Sequence, residues 1–349
     1  LVPGTSGVVI DIAREQPTLG VVVNGVFAGH HDHAAVAAIL GSDTIGRSTV
    51  FAIHSLIGHA VEPLSDLLAS LGMTSGFFWL HDYASLCAGY ALMRNDVAFC
   101  GGPSPDSTAC EICSYGRRRR IQLPAHVGFF QRFDLTAVAP SQLALNQWRS
   151  RFPIRASAEV VHPHARLEPR LVQPQLKASA RKRPLRVGFL GMPALHKGWP
   201  IFAELVARFG QDPRYEFHHL SAVPEPRVAA RFTQVTPTPT APQPMVGVIE
   251  KLGLDVALIW SLWPETFCIA AHEAVAAGAA VLTGPGSGNV AAFVAGDAAR
   301  GAVLADPAAL FDQFASGAAA EFSRANRKPV LSDLIFSGMV ADLTTETAS

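Results

Sequence analysis

The sequence predicts an α/β protein with two successive units, each built around a parallel sheet. Two observations carry this prediction. Short apolar strands alternate with helical segments in both halves of the chain, and a proline-rich basic stretch without periodicity, residues 163–184, separates the halves. The 349 residues are enough for two domains. We therefore expect two Rossmann-like domains that face a cleft. Ligands of open α/β sheets bind at the carboxyl ends of the strands, so we expect the functional residues there.

Composition excludes several classes of protein. Hydrophobic residues make up 49% of the chain and charged residues 16%, which is typical of a globular protein. Lys and Arg total 28, as do Asp and Glu, so we expect no nucleic-acid partner. The sequence has no run of 18 apolar residues and no visible signal-peptide pattern, so we expect a cytoplasmic protein. It lacks an initiating Met, so residues can be missing upstream.

The first half, residues 1–165, is predicted to be the N-terminal domain. Turn residues bound its apolar strands, and its helices have apolar residues at helical spacing, with Gly72 expected just past one helix end. Residues 87–116 are rich in Gly, Pro and Ser and predict a long loop. The predicted strands are "GVVIDIA", "GVVVNGVF", "STVFAIH", "GFFWLHD" and "LTAVAPS", and the predicted helices are "EPLSDLLASLG" and "QLALNQWRSRF".

A linker is predicted at 166–184, a C-terminal domain at 185–330, and a tail at 331–349 with one more helix. The predicted strands of this half are "LRVGFLG", "YEFHHLS", "DVALIW" and "AAVLTG", and the predicted helices are "WPIFAELVARFG", "VIEKLG", "CIAAHEAVAAG", "VAAFVAG" and "PAALFDQFASGAAAEFSRAN".

Two glutamates lie eight residues apart in an otherwise apolar segment, "SLWPETFCIAAHEAVAAGAAVLTGPGSGN". Glu265 follows a predicted strand, and Glu273 is expected two turns into the next helix, roughly 12 Å along its axis. The first amides of that helix, near Thr266 to Ile269, are suited to bind an anion such as a phosphate. Ionised carboxylates accept hydrogen bonds from sugar hydroxyls. The alternative is that Glu265 stabilises the helix dipole and Glu273 is simply exposed.

Two glycine-containing loops accompany this segment. In "FLGMPALHKGW", 189–199, a strand ends at Gly191, and Lys197 and Gly198 open a helix. A lysine there can contact a phosphate, and a glycine lets the backbone approach it, although an ordinary turn with a solvated lysine is the alternative. The turn "TGPGSGN", 283–289, lacks the spacing of a dinucleotide-binding motif.

Together, "PETFCIAAHEAVAAGAAVLTG" and "GMPALHKG" resemble the E-x7-E signature and the glycine–lysine loop of retaining glycosyltransferases of the GT-B fold, glycosyltransferase family 4. The resemblance extends over essentially the whole chain. It implies that the N-terminal domain binds the acceptor, that the C-terminal domain binds the donor and that the tail, 331–349, packs back onto the N-terminal domain. It implies that Lys197 neutralises a donor diphosphate, that Glu265 holds the donor sugar and that Glu273 holds the ribose. The resemblance also assigns donor contacts to Gly191 and Gly198, and to the segment Thr266, Phe267, Cys268 and Ile269.

The sequence departs from the family pattern at two positions. Met192 stands where an arginine usually follows the first glycine, which removes a phosphate partner unless Arg186 or His196 supplies the charge. Cys268 stands where a glycine is common within E-x7-E, which narrows the space beside the phosphate.

The segment from "FFWLHDY" to "ACEIC" resembles a subset of these enzymes that has a cysteine-bearing insertion after an HD-aromatic strand end. The resemblance implies that His81 lies near the transferred sugar, where it can donate a hydrogen bond or stabilise charge. His54 and Asp82 are further candidates for a sugar or acceptor contact. For each histidine the alternative is a structural role. The histidines of "GHHDHA", 29–34, are more simply incidental than metal ligands.

Four cysteines, Cys87, Cys100, Cys110 and Cys113, lie within 27 residues, and only the last pair forms a CxxC motif. A structural zinc ion would stabilise a long loop with little core, while disulfides or free thiols are the alternative. The run Arg117–Arg120 follows. It is expected to be a solvated turn, with contact to an anionic acceptor or the inner membrane face as the alternative.

We therefore expect a retaining hexosyltransferase that takes a sugar from a nucleotide-sugar donor to a glycan or lipid-linked acceptor. By analogy with the family, the donor phosphate assists deprotonation of the acceptor, so neither a protein nucleophile nor a catalytic metal is expected. His81, Glu265 and Lys197 are the predicted catalytic residues. A nucleotide-sugar 2-epimerase and a non-catalytic GT-B binding module are the alternatives.

Overall fold

The computed structural model describes residues 8–12, 18–44, 49–57, 59–171, 183–238, 240–241 and 244–346. The chain forms two compact units, which we call unit 1 and unit 2. Unit 1 comprises residues 1–95, 100–162 and 337–349, and unit 2 comprises residues 96–99 and 163–336. The predicted linker segment 172–182 lies outside the described residues.

Unit 1 contains a four-stranded parallel sheet in the order β4-β5-β8-β9 and an antiparallel three-stranded sheet, β1-β2-β3. The elements of this half are β1 Val8–Ile12, β2 Leu19–Val23, β3 Val26–His31, α1 His33–Thr44, β4 Phe51–Ile53, α2 Val61–Ser70, β5 Ser75–Trp79, β6 Met93–Arg94, β7 Ala98–Phe99, α3 Thr108–Glu111, α4 Gly116–Arg132, β8 Asp134–Ala139, α5 Gln142–Arg149 and β9 Ala158–Val161. Gly72 has a φ of 71° just past the end of α2, as predicted, because a left-handed residue closes many helices.

Unit 2 is built on a six-stranded sheet in the order β13-β12-β11-β14-β15-β16, and every neighbouring pair is parallel. The elements of the second half are β10 Ala165–Pro169, β11 Leu185–Leu190, α6 Trp199–Phe209, β12 Tyr215–Ser221, β13 Arg231–Gln234, α7 Pro244–Leu252, β14 Val256–Leu258, α8 Ile269–Ala276, β15 Ala280–Thr283, α9 Asn289–Ala295, β16 Gly301–Val303, α10 Pro307–Ser316, α11 Arg324–Arg327, β17 Ser332–Phe336 and α12 Val340–Glu346. These parallel sheets confirm the predicted α/β class.

Both faces of the six-stranded sheet are buried. Val256 and Leu258 belong to one apolar cluster, while Ala257 belongs to another, because successive side chains of a strand point to opposite faces. This burial on two sides is why the strands read as continuous apolar runs in the sequence.

Several predicted boundaries are wrong. Residues 165–169, at the end of the expected N-terminal domain and the start of the expected linker, form β10, which pairs antiparallel with β17 of the expected tail. The long helical pattern at 307–326 breaks at Gly317, which has a φ of 83°, and continues as a short 3₁₀ helix at 318–322 followed by α11. The expected loop 87–116 contains α3 and the first residue of α4, because Ser107 caps α3 by accepting a hydrogen bond from the Cys110 amide.

The last helix, α12, belongs to unit 1. Leu343 packs there with Trp79 and Val138, and Asp342 Oδ2 lies 3.1 Å from His162 Nε2. Within the described parts of the chain, we find no helix with both the length and the apolar character that crossing a membrane requires.

Candidate active site

The loop after β11 brings Lys197 to the carboxyl end of the parallel sheet in unit 2. Gly191 follows the strand with a φ of 104°, and a short 3₁₀ helix, Leu195–Lys197, ends at Gly198 with a φ of 83°. A Cβ atom at Gly198 would lie 2.0 Å from the carbonyl oxygen of Trp260. Only glycine lets this loop approach the one after β14 so closely, and this explains why the sequence has a glycine after the lysine.

Glu265 is the centre of a buried hydrogen-bond network in the loop between β14 and α8. Its Oε1 atom accepts hydrogen bonds from Lys197 Nζ at 2.7 Å, from Ser261 Oγ at 2.8 Å and from Trp263 Nε1 at 3.0 Å. Glu265 is 4% exposed, so its charge requires these partners. Ser261 and Trp263 were not among the predicted site residues, although both lie in the same "SLWPET" loop.

The turn "TGPGSGN" fixes the backbone of the Glu265 loop. The Asn289 amide donates to the Glu265 carbonyl at 2.8 Å, and Asn289 Nδ2 donates to the Phe267 carbonyl at 3.0 Å. Gly288 has a φ of 63°, and a Cβ atom there would lie 2.4 Å from the carbonyl carbon of Pro264. The glycine and the asparagine of this motif therefore position the glutamate, a role that the spacing of the motif did not reveal.

Cys268 precedes α8 with a φ of 69°, a left-handed conformation that favours glycine. The pattern of the resembled family has a glycine at this position. The residue here is a cysteine, but its backbone adopts a conformation that glycine takes without strain. Burial raises the pKa of its thiol. Phe267 is buried, Ile269 is partly exposed, and no side chain caps the amides at the start of α8.

Glu273 is the fifth residue of α8, so it lies about one turn into the helix and not the predicted two. Burial raises the pKa of its carboxyl group to about 7. The neighbouring His272 packs between Phe267 and Phe293, with ring centroids 4.2 and 4.0 Å away, and burial lowers its pKa to about 4. Glu273 is therefore a partly desolvated carboxyl group on α8.

The missing arginine after Gly191 is not replaced by Arg186. That residue lies at the amino end of β11, where its NH1 group donates to the Leu252 carbonyl at 2.6 Å. His196 lies in the correct loop, but burial and the neighbouring Lys197 lower its pKa, so it is mainly neutral near pH 7. Met192 itself is 64% exposed. Of Lys197, Arg186 and His196, Lys197 is therefore the residue that brings a positive charge to this loop.

Unit 1 has its own polar cluster at the carboxyl ends of β4 and β5. His54 Nδ1 and His81 Nε2 are 3.0 Å apart, so one of the two atoms carries the shared proton. Both rings stack with Trp79, at centroid distances of 5.5 Å for His54 and 5.3 Å for His81. Burial lowers the pKa of His54, which favours the neutral form of that ring.

Asp82 and His54 line a small cavity of unit 1 together with His126 and Ser85. Asp82 Oδ1 accepts a hydrogen bond from the Ala84 amide at 2.7 Å, and burial raises its pKa to about 6. His126 is fully buried, and its Nε2 atom has no hydrogen-bond partner. This histidine was not predicted as a site residue, because it lies inside α4, far along the chain from the HD strand end.

The remaining predicted features also lie in unit 1. The four clustered cysteines line one cavity. The arginine run forms the start of α4 and not a turn, and Arg119 is buried while Arg117, Arg118 and Arg120 are exposed. In "GHHDHA", Asp32 Oδ1 accepts a hydrogen bond from the Ala35 amide at 2.7 Å, which is a helix-capping contact at the start of α1.

The fold defines a class: two α/β units with parallel sheets, as in glycosyltransferases of the GT-B fold. Similar solved structures include Anabaena HepE in complex with UDP-glucose, at 14% identity, 84% coverage of this chain, 75% of HepE and a TM-score of 0.53. A glycosyltransferase from Rickettsia africae ESF-5 has 11% identity, with 85% and 72% coverage and a TM-score of 0.52. Sucrose-phosphate synthase from Thermosynechococcus elongatus has 15% identity, with 82% and 76% coverage and a TM-score of 0.50. No protein-family model and no curated protein sequence matches the chain.

Proposed function

We propose that the protein is a glycosyltransferase that moves a sugar from a nucleotide-sugar donor to a glycan or lipid-linked acceptor with retention of configuration. The observation that carries this proposal is the buried Glu265 carboxylate, held beside Lys197 at the carboxyl end of the sheet in unit 2. Such a pair offers hydrogen-bond acceptors for sugar hydroxyls and a positive charge for a diphosphate. The complex of Anabaena HepE with UDP-glucose supports a nucleotide-sugar donor.

Lys197 would bind the donor diphosphate. Its side chain is 41% exposed, whereas the Glu265 side chain is 5% exposed, so the ammonium group lies at the open side of the pair. An ammonium group has three N–H donors, so it can contact phosphate oxygens and keep its bond to Glu265. The uncapped amides at the start of α8 would contribute further donors to the phosphate.

Glu265 would hold the donor sugar. The three hydrogen bonds to this residue all end on Oε1, and none of the described hydrogen bonds ends on Oε2. The Oε2 atom is therefore suited to accept a hydrogen bond from a sugar hydroxyl while Oε1 keeps the side chain in place. The network orients the carboxylate before the donor arrives, which lowers the entropic cost of binding.

Glu273 would hold the ribose. A carboxyl group with a pKa of about 7 is half protonated near neutral pH. Two ribose hydroxyls donating to it would favour the ionised form and lower the pKa. Donor binding is therefore expected to release a fraction of a proton near pH 7.

Unit 1 would bind the acceptor. The His54–His81 pair supplies hydrogen-bonding nitrogen atoms, and Asp82 is a nearby carboxyl group. The exposed arginines at the start of α4 suit an anionic acceptor or an anionic membrane surface. His81 is proposed to contact a sugar hydroxyl, since a neutral imidazole both donates and accepts.

Catalysis would come from position and charge. The scheme uses the donor's own phosphate to take the acceptor proton, so the protein supplies no nucleophile. Lys197 and the amides of α8 would stabilise the departing diphosphate, and Glu265 would orient the sugar.

A screen of nucleoside diphosphates by thermal shift and calorimetry, followed by turnover with the donors that bind, tests this function. Lys197→Ala is expected to weaken diphosphate binding roughly 10- to 100-fold, since a charge-assisted hydrogen bond contributes about 1.5–3 kcal/mol. Lys251→Ala is the matched control, because Lys251 is an exposed lysine at the end of α7 in the same unit. Absence of binding at millimolar concentration would leave a non-catalytic module. An epimerised donor formed without acceptor would identify an epimerase.

A further inference from the structure

The four cysteines of the 87–116 segment converge on one cavity of unit 1. The cavity wall contains the cysteines together with Leu92, Tyr115, Gly116 and Arg119, and the cysteines are Cys87, Cys100, Cys110 and Cys113. All four are free thiols. Cys87 lies at the end of the "HDYASLC" segment and Cys100 in the middle of the insertion. Cysteines up to 26 positions apart in the sequence therefore line the same cavity. Such convergence of four thiols calls for an explanation, because packing alone does not require sulfur.

The backbone around these cysteines is tightly turned. The Cys113 amide donates to the Cys110 carbonyl at 3.2 Å, and the Gly116 amide donates to the Cys113 carbonyl at 2.9 Å. A Cβ atom at Gly116 would lie 1.7 Å from the Cys110 carbonyl oxygen, so only glycine permits this closure. The Gly89 amide donates a hydrogen bond to the Cys87 thiol. These close turns keep Cys110 and Cys113 near each other in the cavity wall.

A buried positive charge lies against the same cavity. Arg119 is 2% exposed, and its NH1 group donates to Cys110 Sγ at 3.0 Å while its Nε donates to the Leu86 carbonyl at 3.0 Å. Among the described ion pairs, none joins Arg119 to a carboxylate. A guanidinium group stays charged, and a buried charge is costly unless an opposite charge is near. Cys110 contacts the guanidinium and Cys87 interacts with it electrostatically, so deprotonated cysteines are suited to supply that negative charge.

Within the described residues, no three histidine, cysteine or acidic side chains stand ready around one point to hold an ion. The thiols therefore line the cavity wall, and ligation requires their side chains to close inward.

We propose that Cys87, Cys100, Cys110 and Cys113 bind one zinc ion as a closed four-thiolate structural site, with Arg119 as its counter-charge. Binding converts four thiols and one Zn²⁺ into a tetrathiolate centre of net charge −2 and releases four protons. The neighbouring guanidinium reduces the total charge of the buried group to −1. The expected Zn–S distance is about 2.3 Å, with tetrahedral geometry.

The size and chemistry of the cavity favour a single ion. Its volume is about 10 Å³, close to the space that one water molecule needs. Four sulfur ligands select zinc or an iron–sulfur cluster among common centres, and a cluster is much larger than one ion. With four protein ligands, the ion has no open position for substrate, so its role is to hold the insertion against α4.

Metal analysis of the full chain, purified without chelators, tests the proposal. We expect about one zinc per chain. Cys110→Ser combined with Cys113→Ser is expected to lose the metal and to lower the melting temperature of unit 1. Cys268→Ser is the matched control for metal content, because Cys268 is the fifth cysteine and belongs to unit 2, and this variant is expected to keep the zinc.

Two further measurements use the native chain, so that they test the proposal even when the double variant does not fold. Titrating the native chain with a mercurial reagent, in the presence of a zinc-sensitive dye, is expected to release one zinc as four thiols react. Cobalt exchanged for zinc is expected to show the visible absorption of a tetrahedral thiolate centre. A metal-free chain with two disulfides, or with four freely reactive thiols and unchanged stability, would overturn the proposal. Iron with acid-labile sulfide would also overturn it. None of these measurements uses a sugar donor, so they stand apart from the test of glycosyl transfer.

Discussion

Replacing Glu265 by alanine or by glutamine should separate the structural role of this residue from its role in donor binding. Alanine removes the acceptor of three hydrogen bonds, and two of the donors, Ser261 Oγ and Trp263 Nε1, belong to residues that are 3% and 4% exposed. Each buried donor left without a partner costs about 1–3 kcal/mol. Glu265→Ala should therefore lower the free energy of unfolding by about 2–6 kcal/mol.

The glutamine variant keeps a carbonyl oxygen that can accept the same bonds. Its main loss is the ion pair with Lys197, which contributes little, about 0–1 kcal/mol, because the lysine is 41% exposed. Glu265→Gln should therefore melt close to wild type, while Glu265→Ala melts about 4–24 °C lower, at roughly 2–4 °C per kcal/mol for a unit of this size. Both variants should lose donor turnover by orders of magnitude, since an amide cannot supply the carboxylate charge.

The assay is differential scanning fluorimetry of the three proteins, paired with turnover of the donor identified by screening. An alanine variant as stable as wild type would show that the network does not hold the loop. A glutamine variant with wild-type turnover would show that the carboxylate charge has no part in the reaction. Either result would refute the role assigned to the Glu265 network.

Three further substitutions test local features of unit 2. Cys268→Gly should be more stable than Cys268→Ala, by about 0.5–1 kcal/mol, because only glycine adopts a φ of 69° without strain. Gly198→Ala should destabilise the protein and reduce donor affinity, because its Cβ would lie 2.0 Å from the Trp260 carbonyl oxygen. Between pH 4.5 and about 7 the folded Glu273 keeps a proton that the unfolded chain has lost, so this residue makes stability fall as pH rises, and Glu273→Gln should remove that contribution.

Each of these tests has its own comparison. For Cys268, the comparison is with an ordinary helix interior, where alanine is more stable than glycine by about 1 kcal/mol. A Cys268→Ala variant more stable than Cys268→Gly would therefore contradict the proposed backbone strain. For Gly198, substitution of the solvent-facing Gly286, where nothing lies within 4 Å of an added Cβ, should have little effect on folding. For Glu273, the pH profile is read as the difference between wild type and variant, so that other groups such as His272 cancel. A difference that does not change with pH would contradict the raised pKa.

Much of the fold follows from the sequence because its signals are local. Apolar runs bounded by turn residues predicted the strands β4, β5, β8, β11, β12, β14 and β15, since a strand buried on both faces has no polar alternation, whereas the edge strands β9, β13 and β16 were not predicted. Gly72 predicted a helix end because glycine readily adopts the left-handed backbone conformation that closes many helices. The strands β10 and β17 were missed because each is short and each is stabilised by the other, about 165 residues away in the sequence.

The sequence by itself determined which side chains carry charge at the loop ends, Lys197, Glu265 and Glu273, since their positions after predicted strands are readable without a structure. The tertiary structure alone decided what those side chains contact. Lys197 reaches Glu265 across 68 residues, and Arg119 is buried against Cys110 although its neighbours in the run are exposed. These contacts depend on how packed elements approach each other in space. The residues that lie between two partners in the sequence do not indicate that the partners will come within hydrogen-bond distance.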